Sequence, residues 1–144
     1  MRITRRTDYA LHLLAELAAQ PGCCLGLRKL AADHGVTYAF ARTVQQGLLQ
    51  AGIIEASRGI NGGIRLAKTP EEITVLEVFE AAQNPLEETF AATKASWCCC
   101  SGQSCMTDGL WLGVREAMRG QFSGVTVKQL LATSATGQVK ADKG

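Results

Sequence analysis

Residues Gly52–Lys68 read GIIEASRGINGGIRLAK, and what lies on either side of this stretch decides the fold. The runs Ile53 to Ser57 and Ile64 to Ala67 have the composition of short strands. Between them lies a turn containing Asn61-Gly62-Gly63, residue types that tolerate positive φ. The stretch therefore predicts a two-stranded hairpin carrying Arg58 and Arg65.

Upstream, three amphipathic segments precede the hairpin. TDYALHLLAELAAQPG places Ala10, Leu13, Leu14, Leu17 and Ala18 on one helical stripe, opened by Thr4 or Thr7 and stopped by Pro21-Gly22. LRKLAADHG predicts a short second helix ended by Gly35, and VTYAFARTVQQGLLQAG a third, capped by Thr37 and ended by Gly52. In the third, Phe40, Val44 and Leu48 recur every four residues and face inward, which turns Tyr38, Arg42, Thr43, Gln45 and Gln46 outward. Two helices joined by HGVT form a helix-turn-helix. Followed at once by a basic, Gly-rich hairpin, it predicts a winged helix, whose third helix enters the DNA major groove while the wing reaches phosphates or the minor groove. Arg and Gln side chains can pair bidentately with base edges. The expected DNA contacts are Thr37, Tyr38, Arg42, Thr43 and Gln46 on the helix, and Arg58, Asn61, Gly62 and Arg65 on the wing. Winged helices also serve as protein-protein modules, and that alternative stands beside the DNA reading.

Charge supports a division of labour. Residues 1–69 carry nine Lys+Arg against four Asp+Glu, and residues 70–144 carry six against nine. A basic first half and an acidic second half suit nucleic-acid contact confined to the first. The basic start and the apolar run after it fit neither a signal peptide nor a membrane span, because Asp8, His12 and Glu16 interrupt the run. A cytoplasmic protein with no membrane partner is expected, and no catalysis is implied.

In the second half, TPEEITVLEVFEAAQ predicts a fourth helix with Thr69 as cap, Pro70 in its first position and Val75, Val78, Phe79 and Ala82 on its apolar face. Asn84-Pro85 ends it. A long loop then runs from Leu86 to Ser104. After it, MTDGLWLGVREAMRGQF resumes helical spacing through Leu110, Trp111, Val114, Ala117, Met118 and Phe122. That apolar stripe exceeds what a wing module covers, so the helix is expected to form a homodimer seam, which also suits a reader of palindromic sites. VTVKQLLATS gives a short closing helix, and GQVKADKG a frayed tail.

Four of the six cysteines fall within SWCCCSGQSC, residues 96–105. In a reducing compartment such a cluster points away from disulfides and toward metal or redox chemistry. Zinc is one alternative, although CCC lacks the two separated pairs of structural zinc sites. Direct thiol oxidation is another.

Taken together, MRITRRTDYALHLL, RGINGGIRLAK, EITVLEVFEA, the cysteine-rich loop and CMTDGLW resemble, in order, the IscR/NsrR family of iron-sulfur winged-helix transcription regulators. The resemblance covers about 130 residues. It implies a mainly α fold, with a winged helix-turn-helix DNA-binding domain over residues 1–69 and a small two-stranded wing. A cluster-binding loop and long dimerisation helix would occupy residues 70–144. It further implies a homodimer on a pseudo-palindromic duplex operator, acting as a repressor, with a four-iron four-sulfur or two-iron two-sulfur cluster controlling DNA affinity. Cys105 matches the last loop cysteine of the family, at a helix N-terminus that favours a thiolate. Cys99 fits a C-x5-C spacing and Cys100 a C-x4-C spacing. The family's first loop cysteine is expected near Thr93, and this chain offers Cys98 instead. Asp8 matches a carboxylate ligand given by the partner subunit's first helix in some members, and Asp108 a position where others use histidine. His12 lies one turn beyond Asp8, and a variant of the family ligates through both positions. Cys23 and Cys24 have no counterpart in the resemblance.

Overall fold

A computed structural model of the chain describes residues 4–83, Pro85, Leu86, Glu88 and 107–133. The order of elements is α1 (Arg5–Ala19), α2 (Leu27–Asp33), α3 (Tyr38–Gln50), β1 (Ile54–Ser57), β2 (Gly63–Leu66), α4 (Val75–Ala82), α5 (Asp108–Ser123) and α6 (Val127–Thr133). It is a mainly α winged helix with one antiparallel hairpin, in which Ile54 pairs with Leu66 and Ser57 with Gly63.

The first three helices follow the apolar periodicity. Leu13, Leu14 and Leu17 of α1, Leu27 and Leu30 of α2, and Ala41, Val44 and Leu48 of α3 meet in one core, joined by Ile53, Ile54 and Ile64 from the wing. Two of the stops are glycines in the left-handed region, Gly35 at φ 63° after α2 and Gly52 at φ 70° after α3, where a side chain would strain the backbone. Thr37 caps α3 as expected, its hydroxyl accepting from Phe40 N–H at 3.2 Å.

The same core extends past the wing to Ile73, to Val78 and Ala82 of α4, and to Val127 of α6. The opposite side of α4 presents Phe79, which with Leu86 nucleates a second, smaller core against Val114, Met118 and Phe122 of α5. The Phe79 and Phe122 rings lie 5.4 Å apart. Helix α4 is thus apolar on two faces, one for each core.

Three expectations change. The fourth helix starts at Val75 rather than Pro70, with Thr74 as its cap. Residues 73–75 are instead extended against 125–127: Val75 N–H donates to the Val125 carbonyl and Val127 N–H to the Ile73 carbonyl, both at 2.9 Å. Thr69 closes a local turn, its N–H and hydroxyl both donating to Glu72 at 3.0 Å. Leu86, read as the start of a loop, is helical and fully buried. Finally, the stripe of α5 divides, since Val114 and Met118 pack within the chain while Leu110, Trp111 and Leu112 stand 60%, 42% and 50% exposed. The tail GQVKADKG lies outside the described residues.

Candidate nucleic-acid interface and metal-ligating residues

The outer face of α3 carries Tyr38, Arg42, Thr43 and Gln46, all exposed. Burial of Ala41, Val44 and Leu48 on the other side fixes which way they point. The Arg28 guanidinium of α2 sits over the Tyr38 ring, 4.5 Å from its centroid, so a cation from the first helix of the pair joins the same surface. Thr43 donates its hydroxyl to the Ala39 carbonyl at 3.0 Å. Gln45, read as outward, is half-buried.

At the wing, Arg58 and Asn61 are exposed and Ile60 is fully so, at 105% of its reference area. The turn takes in Asn61 and Gly62 as expected, between β1, which ends at Ser57, and β2, which begins at Gly63. Among the described residues only glycines have positive φ, and in the wing these are Gly59 at 112° and Gly63 at 152°, not Asn61. Gly62 is needed for closeness instead, because a Cβ there would come within 2.5 Å of the Ser57 carbonyl oxygen. Arg65 lies opposite Glu55 in the strand register and donates to its carboxylate. Its charge is shared within the wing.

Asp8 and His12 share one face of α1, with Asp8 Oδ1 and His12 Nε2 3.7 Å apart and both side chains well exposed. His34, at the end of α2, closes the face: its ring centroid is 5.9 Å from that of His12, and its Nε2 is 3.1 Å from Glu16 Oε1. Asp8, His12 and His34 line, with Arg5, Tyr9, Val36 and Phe40, a cleft of about 220 Å³ between α1 and the helix-turn-helix. Tyr9 is at its back, ring edge-on to His34 at 5.6 Å. Burial pushes the Tyr9 phenol up, and the Glu16 carboxylate adds to the shift. One turn earlier, Thr4 and Thr7 anchor the start of α1 to Gln83.

Among the described residues no group of three or more His, Cys, Asp and Glu side chains is arranged to hold a metal ion. Asp8 and His12 provide two outward donors, an open edge that fits a cluster only if thiolates complete it. Cys98, Cys99, Cys100 and Cys105 lie outside the described residues. Asp108 is the first residue of α5 and half-buried, on a different element from Asp8. Cys23 and Cys24 are free thiols in the turn after α1. Reading the chain by periodicity missed Arg28, His34, Glu16 and Ile60. The first three gain their meaning from packing between helices, and only Ile60 left a signal, as an apolar residue in the middle of a turn.

Comparison with known proteins agrees with this architecture. Residues 3–133 match the Rrf2 family, described as iron-dependent transcriptional regulator. The chain is 36% identical over 132 residues to the HTH-type transcriptional regulator NsrR of Shouchella clausii, covering 91% of this chain and 89% of that protein. Among solved structures, IscR of T. potens superposes with a TM-score of 0.76 at 18% identity, covering 100% of this chain and 94% of that one. CymR of B. subtilis, the global cysteine regulator, superposes with 0.74 at 20% identity, covering 92% and 97%. The matched span takes in the helix-turn-helix, the wing and the long helix together, and the chain belongs to the Rrf2 family of winged-helix, DNA-binding transcriptional regulators.

Proposed function

We propose that the protein is a homodimeric repressor whose affinity for a pseudo-palindromic operator is set by an iron-sulfur cluster. In each subunit, residues 1–69 would read DNA and residues 70–144 would hold the cluster loop and the dimer helix. Arg42 and Gln46 would face base edges, with Thr37, Tyr38 and Thr43 around them. Arg58, Asn61, Gly62 and Arg65 would meet the phosphates and the minor groove. Cys105 and two of Cys98, Cys99 and Cys100 would hold the cluster, with Asp8, His12 or Asp108 supplying the remaining ligand. When bound, such a cluster supplies a redox- and ligand-reactive centre, and a non-cysteine ligand makes it easier to lose.

The observation that carries this reading is the position of Asp8 and His12. They form an outward pair of donors on α1, and the other wall of the same cleft is His34 at the helix-turn-helix. A ligand taken from that face ties metal occupancy to the element that sets the recognition helix. The exposed Leu110, Trp111 and Leu112 supply apolar surface for a second copy.

Anaerobic purification, followed by a visible spectrum with iron and sulfide analysis, tests the cluster, and a gel-shift screen of genomic fragments tests the DNA. Coloured protein with matched iron and sulfide, and duplex binding that changes when the cluster is removed, are the expected results. Colourless protein with stoichiometric zinc would replace the cluster reading with the zinc one. Failure to bind any duplex would move the winged helix to protein-protein contact.

A further inference from the structure

Helix α2 carries two cations, Arg28 and Lys29, in its first turn and no acidic residue beside them. Burial of Leu27, Leu30 and Ala31 fixes the rotation of the helix and turns both cations outward. A positive charge at that end opposes the helix dipole, so neither residue is placed for the stability of α2. Arg28 is nonetheless held in position, because its guanidinium lies over the ring of Tyr38, the first residue of α3, 4.5 Å from the centroid. The Thr37 hydroxyl fixes the start of α3 by accepting from Phe40 N–H, and with it the place of that ring.

A ring beneath a guanidinium leaves the N–H groups along its edge available for a bidentate acceptor. Among the described residues no carboxylate pairs with Arg28, whereas Arg65 of the wing is paired with Glu55 and Lys68 with Glu77. An exposed contact between a cation and a ring adds little to folding. In a helix-turn-helix the first helix crosses the DNA backbone while the second lies in the major groove. Arg28 belongs to the first and stands over the start of the second, at the border between groove and strand.

We propose that Arg28 grips a DNA phosphate at the edge of the major groove, and that Tyr38 is its positioning residue. The Tyr38 ring then acts through Arg28 and does not itself read a base. Anchored to the strand in this way, the pair sets the register in which Arg42 and Gln46, further along α3, meet base edges. The proposal rests on the DNA-binding reading above and names a contact within it. A guanidinium suits the role where an ammonium does not, since lysine would keep the charge but lose both the stacking on the ring and the paired donors.

The test titrates full-length protein against an operator fragment from the genomic screen and an unrelated duplex of equal length, at several salt concentrations. Arg28→Ala should weaken binding to both duplexes about tenfold and lower the salt slope by about one, with its urea midpoint unchanged. Arg28→Lys should restore the slope but only part of the affinity. Tyr38→Phe should bind as the wild type does, and Tyr38→Ala should lose affinity. Combining Tyr38→Ala with Arg28→Ala should cost less than the two single losses added together. Wild-type affinity and slope in Arg28→Ala would overturn the contact, and a loss confined to the operator would make Arg28 a reader of bases instead. A Tyr38→Phe protein as weak as Tyr38→Ala, or strictly additive losses, would overturn the positioning role. A wild type that binds neither duplex would overturn the DNA-binding reading itself, a result distinct from each of these.

Discussion

The Thr7 hydroxyl donates to the side-chain oxygen of Gln83 at 2.8 Å, joining the first turn of α1 to the end of α4 across 76 residues of chain. The same oxygen accepts from the Thr4 hydroxyl at 2.8 Å and the Thr4 N–H at 3.1 Å. Thr7 is the one buried polar residue among those described, at 3% exposure. Gln83→Leu leaves its hydroxyl without an acceptor and should cost about 1–3 kcal/mol of folding stability. Adding Thr7→Val should recover the part of that loss due to the Thr7 hydroxyl, because removing both partners of a buried bond is nearly neutral, while the part due to the two Thr4 donors remains. Urea unfolding of the two single variants and the double variant measures this, and strictly additive losses would show that the bond contributes nothing.

Tyr9 is the opposite case. Its ring is wedged against His34 and Phe40, yet its buried hydroxyl has no hydrogen-bond partner among the described residues. Tyr9→Phe keeps the ring contacts and removes an uncompensated polar group. The expected result is unchanged stability or a gain of up to about 1 kcal/mol. A loss above that in thermal or urea unfolding would reveal a partner for the hydroxyl.

Acid should loosen the second half of the chain through Glu77. Its carboxylate closes a capping box with Thr74, accepting the Thr74 N–H at 3.0 Å, and pairs with Lys68 Nζ at 2.9 Å. Partial burial raises its pKa, but the Thr74 N–H and the Lys68 ammonium outweigh that and hold it below the usual 4.5. A group depressed on folding stabilises fully above its unfolded value, and that contribution disappears as pH falls through the folded value. Stability should therefore decline below about pH 4.5, and Glu77→Gln should flatten that decline. Thr74→Ala should cost about 1 kcal/mol at neutral pH. An acid limb of equal steepness in wild type and Glu77→Gln would assign the loss to other carboxylates.

These residues also show what the sequence could and could not disclose. The pattern T-x-x-E occurs twice, at Thr69–Glu72 and Thr74–Glu77, and each forms its side-chain bonds. Only the second starts a helix, because the pairing of 73–75 with 125–127 forbids helical backbone before it. No local rule foresees a partner so distant in sequence. The three helices and the wing were legible because their apolar periods and their glycines point the same way. The face of α5 was half legible: an apolar stripe announces a partner surface without saying whether that surface belongs to the chain or to a second copy. Phe79 and Leu86 take Val114, Met118 and Phe122, and Leu110, Trp111 and Leu112 remain outward.

That division selects the probe for the dimer. Trp111→Glu places a charge on the exposed part of the helix and should yield folded monomers by sedimentation, with loss of operator binding since each subunit brings one half-site. Val114→Glu instead puts the charge against Phe79 and Leu86 and should lower thermal stability first. Monomers from Val114→Glu with full stability, and dimers from Trp111→Glu, would reverse the assignment of the two faces.

On DNA, Arg42 and Arg58 should separate by kind of effect. Arg58→Ala should weaken binding to all duplexes alike and lower the salt slope by about one, whereas Arg42→Ala should also relax sequence preference. Ile60 differs from both, since it has no charge to release counterions and stands clear of the body at the tip of the wing. Ile60→Ser should reduce operator affinity with the salt slope unchanged, as for an apolar contact in the minor groove. Titration at three salt concentrations distinguishes the three, and an Ile60→Ser protein with wild-type affinity would place the wing tip off the DNA.

The cluster ligands give the last test. Cys105→Ala should abolish the colour of anaerobically isolated protein, because Cys105 holds the position of the family's last loop cysteine. Cys98, Cys99 and Cys100 are consecutive, so single substitutions among them should only lower occupancy as a neighbour takes over. Asp8 and Asp108 are then separable. Asp8 is exposed, 3.7 Å from His12, and its α1 face is closed by His34 of the helix-turn-helix, so a partner subunit's loop that binds there engages the DNA-binding module directly. Asp108 begins the helix that follows the loop, where an acid is already favoured by the dipole. Asp8→Ala should leave a dimer that loads cluster poorly or shows a shifted visible spectrum, and His12→Ala should shift the spectrum only if the imidazole also ligates. Asp108→Ala should leave spectrum and iron content unchanged. Full loading in Asp8→Ala with loss in Asp108→Ala would move the ligand to α5, and would remove the direct path by which cluster occupancy reaches the recognition helix.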